Sequence, residues 1–364
     1  MRAVANVDYL TSYVFRLAFN EVFSMAVNSE VKSQAFLSNT SNNFFLNAST
    51  RRYQNFESTT NGDVITILHA PSFEASTVDR QLGHTPIYWS YQASAGGLSR
   101  SEPSFRTADL VGRFDFQPSV SMPLQLRGWA LRPEISLRDT FYTQELMPSS
   151  GIGVAADDPI NRRALEGSME IRPPAVERVF AHEFLGRKWK HVIEPAVTYR
   201  YVTGVNDFSH ILRFDDRDIL SNTNEVEYGV VSRLYSERMS PQQDCGSTSM
   251  PLLPVPGQRS RTHAPWEDQN PPIEIDCSSQ PQVREVVTWE LSQKYFLDPT
   301  FGGALVPGRR NVLATTADLT GIAFLTDARR LSPLVSRLRI QSSSRTDLEW
   351  DLDYDVKKGR MNAS

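Results

Sequence analysis

The densest chemistry in this chain is a row of acids in which Asp347, Glu349, Asp351, Asp353 and Asp355 stand at every second position. Such a row either forms a solvated face or sets a field that excludes or steers an anion, an effect of the summed charge and not of one residue. His182 and Glu183 open what could be a metal-binding helix. The next histidine is His191, not four residues on, and Phe184, Leu185 and Gly186 between them offer no ligand. Cys245 and Cys277 are the only 2 cysteines. Gly96–Gly97 and Gly302–Gly303 read as turns, and no phosphate-cradling loop or Gly-x-Ser-x-Gly elbow occurs. The residues therefore describe a protein that is not an enzyme, with no catalytic, metal or cofactor site.

The acid row has one meaning only if an element of period two holds it. In 346–356 Thr346, Leu348, Trp350, Leu352, Tyr354 and Val356 alternate with the acids, whereas a helix would scatter those acids all round. Leu165, Gly167, Met169 and Ile171 likewise alternate with Glu166, Ser168, Glu170 and Arg172. The same pattern runs through 129–138, 191–202, 225–234 and 288–297, with Trp and Tyr weighting the apolar side. Near the start, one parity from Ala3 to Phe19 is apolar or aromatic but for Thr11, which predicts a strand of about seventeen residues, long for a soluble sandwich. Pro133 and Pro195 sit on the apolar faces of two of these strands and predict local irregularity there, because proline removes a ladder hydrogen bond.

Length and composition narrow the setting. The 364 residues suffice for two ordinary domains or one very large sheet, and no linker or fixed-period repeat divides them. Thirty-eight Lys and Arg against 42 Asp and Glu give a net charge of −4, which excludes a basic protein that coats nucleic acid. No run approaches the eighteen apolar residues of a membrane-crossing helix, and Met1–Arg2 leads into alternating sequence without a signal-peptide core. A closed β-barrel escapes that test, since each strand buries one face in lipid and wets the other. Long alternating strands, the acid row and tracts of aromatic residues favour an antiparallel transmembrane β-barrel of roughly a dozen to sixteen strands. A soluble all-β sandwich, propeller or binding protein shares the alternation, and a porin or a barrel lipase or protease shares the barrel.

Two segments are too long for hairpins. They are 203–224 and 239–283, the second rich in Pro, Ser and Gln, with Pro251, Pro254, Pro256, Pro271 and Pro272.

Residues 187–238 carry a resemblance. His191, Glu194 and Pro195 form an H-x-x-E-P strand opening, Arg213–Phe214–Asp215 a loop motif, and Ser221–Asn222–Thr223–Asn224–Glu225 the lead-in to the next strand. Together they resemble the C-terminal barrel of the LPS-assembly outer-membrane family LptD (OstA/Imp). The opening RAVANVDYLTSYVFRLAFNEVFSMAVNSEVKSQAF resembles an earlier strand pair of the same barrel, and the stretch RPEISLRDTFYTQ at 132–144 a middle one. The resemblance implies an outer-membrane translocon that assembles lipopolysaccharide into the outer leaflet, with an LptE-type lipoprotein plug inside and periplasmic LPS-bridge proteins meeting a domain absent here. It makes residues 1–364 an incomplete section of a large barrel, lacking strands at both ends. It also makes 203–224 extracellular, which puts the 239–283 insertion on the periplasmic side.

In that setting Asp347, Glu349, Asp351 and Asp353 become a candidate lumenal acidic face toward an anionic headgroup. Cys245 and Cys277 bracket one proline-rich segment of a protein that matures through an oxidising periplasm, which makes them a candidate disulfide.

Overall fold

The structure is a computed structural model that describes residues 1–19, 28–58, 60–103, 105–107, 110–147, 154–238, 282–300, 329–343, 346–357 and 359–363. The first strands are β1 (Arg2–Asn6), β2 (Glu30–Ser41), β3 (Phe44–Phe56), β4 (Val64–Gln81), β5 (Tyr88–Glu102), β6 (Phe105–Arg106), β7 (Val111–Ser121), β8 (Leu124–Leu126) and β9 (Trp129–Tyr142). A small hairpin of β10 (Glu145–Met147) and β11 (Val154–Ala156) follows. Then come β12 (Ile160–Arg172), β13 (Val176–Val179), β14 (Lys188–Thr203), β15 (Thr223–Arg238), β16 (Gln282–Phe296), β17 (Leu334–Ser343), β18 (Thr346–Asp355) and β19 (Arg360–Ala363).

All but β10 and β11 belong to one 17-stranded sheet in which every pairing is antiparallel. Each long strand pairs with the next long strand along the chain, so the sheet is a meander. Among the described residues no helix is long and apolar enough to cross a membrane.

The period-two stretches fall where the alternation places them. The acid row lies on β18, 165–172 in β12, 129–138 in β9, 191–202 in β14, and the next two in β15 and β16. Exposed large apolar side chains gather on one face, including Ile135 (61%), Leu137 (58%), Leu348 (60%) and Trp350 (52%). Soluble sheets rarely leave so broad an apolar face uncovered. The opposite face is polar.

Gly96–Gly97 form no turn but lie inside β5, opposite Arg113 and Gly112, where a Cβ would crowd the carbonyls of Pro71 and Ala70, and Gly302–Gly303 lie outside the described residues. Two further expectations need correction. The first is the long N-terminal strand: β1 ends at Asn6, paired with Gln34, and Tyr13–Phe19 is a short helix, α1. Side chains have taken over the edge of β2 at this point. Asp8 N–H donates to Ser33 Oγ at 2.9 Å, and Arg16 donates to the carbonyls of Asn28 and Glu30 at 2.8 and 3.0 Å. With the Glu30 carbonyl taken by Arg16 and the Asp8 N–H by Ser33, side-chain bonds replace the ladder beyond Asn6.

The second concerns the prolines. Pro133 pairs with Met169 and Pro195 with Val230 with no register shift in either ladder. The irregularity lies in the neighbouring strands instead. Pro133 faces the break between β7 and β8, where its carbonyl accepts from Met122 N–H at 3.0 Å, and Pro195 lies opposite the gap between β12 and β13. A missing donor costs little where the neighbour has no acceptor in line.

Connections sort by end. Asn42–Asn43, Arg127–Gly128 and Leu185–Gly186 are two-residue turns at one end of the meander, with positive φ at Asn42, Arg127, Gly128, Leu185 and Gly186. Paired positive φ values match the right-handed strand twist, as at Arg127–Gly128. The loop 204–222 closes the other end, together with the β10–β11 hairpin.

Candidate functional site on the polar face

Loop 204–222 does not stand clear of the sheet. It folds back over the polar face, and its apolar residues are buried there: Val205, Phe208, Ile211, Leu212 and Phe214 are each 5% exposed or less. Leu212 and Phe214 pack with Leu98 and Val111, while Val205 and Phe208 pack with Ala164 and Val202. Each such side chain contributes roughly 1.5–3 kcal/mol of burial. Gly204 at φ +99° starts the fold-back, with its Cα against the Arg163 carbonyl where a Cβ would lie 2.7 Å away.

Below the apolar contacts lies an ionic network centred on Arg113 of β7. Its Nη1 donates to Asp215 Oδ1 at 2.8 Å and Asp218 Oδ1 at 2.7 Å, and its Nη2 to Asp215 Oδ2 at 2.6 Å. The loop is shaped to present both acids. Asp215 caps the 3-10 turn Asp216–Ile219, accepting from Arg217 N–H, while Asp218 accepts from Phe214 and Asp215 N–H.

Tyr142 Oη on β9 donates to Asp218 at 2.7 Å, and Arg162 on β12 donates to the carbonyls of Arg217 and Asp218 at 2.8 and 3.2 Å. Arg217 itself reaches Ser94 on β5 and Glu74 on β4 at 2.8 and 3.2 Å. Beside them Arg138 pairs with Asp115, and Thr140 donates to the same carboxylate at 2.6 Å.

Burial raises the pKa of Asp215, but the hydrogen bonds and charge of Arg113 outweigh it and hold the carboxyl below its usual range. Burial pushes Asp218 the other way, above that range, against the pull of Arg113. A cavity of about 980 Å³ opens beside this network, lined in part by Arg51, His69, Glu74, Arg138, Arg200 and Arg217.

On β18 the acid row shares the polar face with arginines of β17. Arg339 Nη2 sits 3.0 Å from Asp347 and its Nε 3.8 Å from Glu349, and Arg337 lies opposite Asp351 in register. Asp353 is nearly buried and stands opposite Val335. The row is therefore half of an alternating cation–anion ladder.

His191 is on β14, with Nε2 2.8 Å from Ser232 Oγ, and is not gathered with His182 around any centre. Cys245 and Cys277 lie outside the described residues. Of the network, sequence reasoning singled out only the loop motif around Asp215. Arg113, Tyr142 and Arg162 left one signal, arginine and tyrosine on the polar parity of strands next to long loops.

Compared with known proteins, the chain is matched from residue 5 to residue 364 by the family model described as LPS transport system D. The chain belongs to the LPS transport system D family. Over 249 residues this family member is 22% identical to the LPS-assembly protein LptD of Methylococcus capsulatus (strain Bath). That alignment covers 63% of this chain and 23% of the relative, so the chain corresponds to a minor part of the relative's length. The all-β, antiparallel architecture agrees with the barrel expectation for an LPS transport system D chain. Of the readings the sequence leaves open, the LPS transport system D family is the one the match supports.

Proposed function

We propose that this chain forms part of the wall of an outer-membrane barrel that assembles lipopolysaccharide into the outer leaflet. The family match over residues 5–364 carries the reading. The two-faced sheet supports it physically: an apolar face suits hydrocarbon, and a polar face rich in ion pairs suits a wet lumen for a large, charged saccharide. Lipopolysaccharide is then the substrate, an LptE-type lipoprotein plug sits in the lumen, and periplasmic bridge proteins deliver the lipid to a domain outside this chain. No step of the reading needs bond-making chemistry or a cofactor.

The acids Asp347, Glu349 and Asp351 line the lumen as the solvated half of the ladder with Arg337 and Arg339, with Asp353 on the same face but nearly buried, and their like charge steers an anionic headgroup only as far as those arginines leave it unbalanced. Long loops of outer-membrane barrels are usually extracellular and short turns periplasmic. On that rule 203–224 faces the cell exterior, and 239–283 faces the periplasm beside the three two-residue turns.

The test is depletion of the full-length protein in its own cells, with lipopolysaccharide labelled from outside by an impermeant reagent. Surface label should fall while total lipopolysaccharide persists. Undiminished surface label on depletion would overturn the reading.

A further inference from the structure

Loops that open and close on demand come from the weakly held parts of a protein, with few buried apolar contacts and solvent-exposed hydrogen bonds. Loop 204–222 has the opposite character. Nine hydrogen bonds tie it to residues of five different strands: Glu74 of β4, Ser94 and Arg100 of β5, Arg113 of β7, Tyr142 of β9 and Arg162 of β12.

Seven of these bonds involve an arginine guanidinium on one side and an acid or a carbonyl on the other, the stronger class of hydrogen bond. Lifting the loop would break them together and would expose Phe208, Ile211, Leu212 and Phe214 to a water-filled lumen. Partial lifting is no easier. Arg113 holds both Asp215 and Asp218, so freeing either acid strips a nearly buried guanidinium of one of its two partners.

We propose that loop 204–222 is a permanently docked strut, which staples β4, β5, β7, β9 and β12 across the polar face, and that it stays docked while substrate passes. The second half rests on the proposed transport function; the first half does not. The strut covers the polar face of these strands only around Glu74, Ser94, Arg100, Arg113, Tyr142 and Arg162, and the cavity beside Arg51, His69 and Arg138 stays open. The water-filled route then continues along β14 to β18, where Arg233, Arg337 and Arg339 alternate with Glu194, Glu290 and Glu349.

Hydrogen–deuterium exchange on the full-length protein in lipid vesicles tests this, read on peptides spanning 204–222 and on β7. The loop amides should exchange roughly a hundredfold or more slower than an unprotected chain and within about tenfold of β7. That protection should persist when purified lipopolysaccharide is supplied and is being moved. Exchange as fast as an unprotected chain at rest would overturn the strut, and protection lost only during transport would make the loop a gate. Should vesicles that also carry the lipoprotein plug and the periplasmic bridge proteins move no lipopolysaccharide, the transport reading fails while the resting exchange still decides the strut.

Discussion

Arg113 is the residue whose loss should cost most. Arg113→Gln leaves buried Asp218 and half-buried Asp215 as neighbouring carboxylates without their cation, and breaking a buried pair from one side costs about 3–5 kcal/mol. Arg339→Gln on the exposed ladder should cost less than about 1 kcal/mol. Denaturant unfolding of the two variants against the parent checks the contrast, and equal losses would mean that the network is not buried in the working protein.

The pH dependence follows from Asp215. Its depressed pKa contributes stability that is present above the ordinary aspartate value, about 3.9, and lost as pH falls through the lower folded value. The gap between parent and Arg113→Gln should therefore be full at neutral pH and shrink below about pH 4. A gap that widens on acidification would contradict the assigned cause.

At the scale of single elements, β18 offers the sharpest contrast, because its two faces meet different solvents. An arginine on the lipid side at mid-depth costs about 2–4 kcal/mol and far less near the interface, whereas the lumen accepts it. Leu352→Arg should thus impair folding into lipid vesicles much more than Asp351→Arg, which places a cation opposite Arg337 but in water. Equal tolerance at both positions would argue against a lipid-facing parity.

The segment 239–283 is the other element with a consequence. A disulfide between Cys245 and Cys277 would close a loop of about thirty residues, contributing roughly 3–4 kcal/mol in the chain-entropy model. Peptide mapping without reductant, on protein taken from the outer membrane, should find the two joined. An alkylatable thiol at either position, or a link to a peptide elsewhere, would sink that pairing.

For the whole molecule the meander fixes sidedness once one loop is placed. The turn around Asn61–Gly62 lies at the same end as 204–222, and Leu185–Gly186 lies at the other. An epitope inserted at Gly62 should bind antibody on intact cells, and one inserted at Gly186 only after the outer membrane is permeabilised. The reverse pattern would turn the barrel over and place 239–283 outside.

The sequence by itself determined the strands and their faces, because strand geometry is local: successive side chains point to opposite sides, so Leu348, Trp350 and Leu352 part from Asp347, Glu349 and Asp351 without reference to the rest of the chain. It also carried the family, through short motifs that fall on β14, the following loop and β15. Only the tertiary structure decided where the chain abandons that periodicity. Arg16 takes the Glu30 carbonyl of β2 and Ser33 Oγ takes the Asp8 N–H, and Pro133 and Pro195 keep their register because the breaks fall in the strands beside them. The network on the polar face was equally invisible, since Arg113 meets Asp215 and Asp218 across 102 and 105 residues of chain. No spacing rule links positions so far apart. Their pairing exists because the meander brings β7 and the loop after β14 to the same face, where burial makes an unpaired charge too costly to leave.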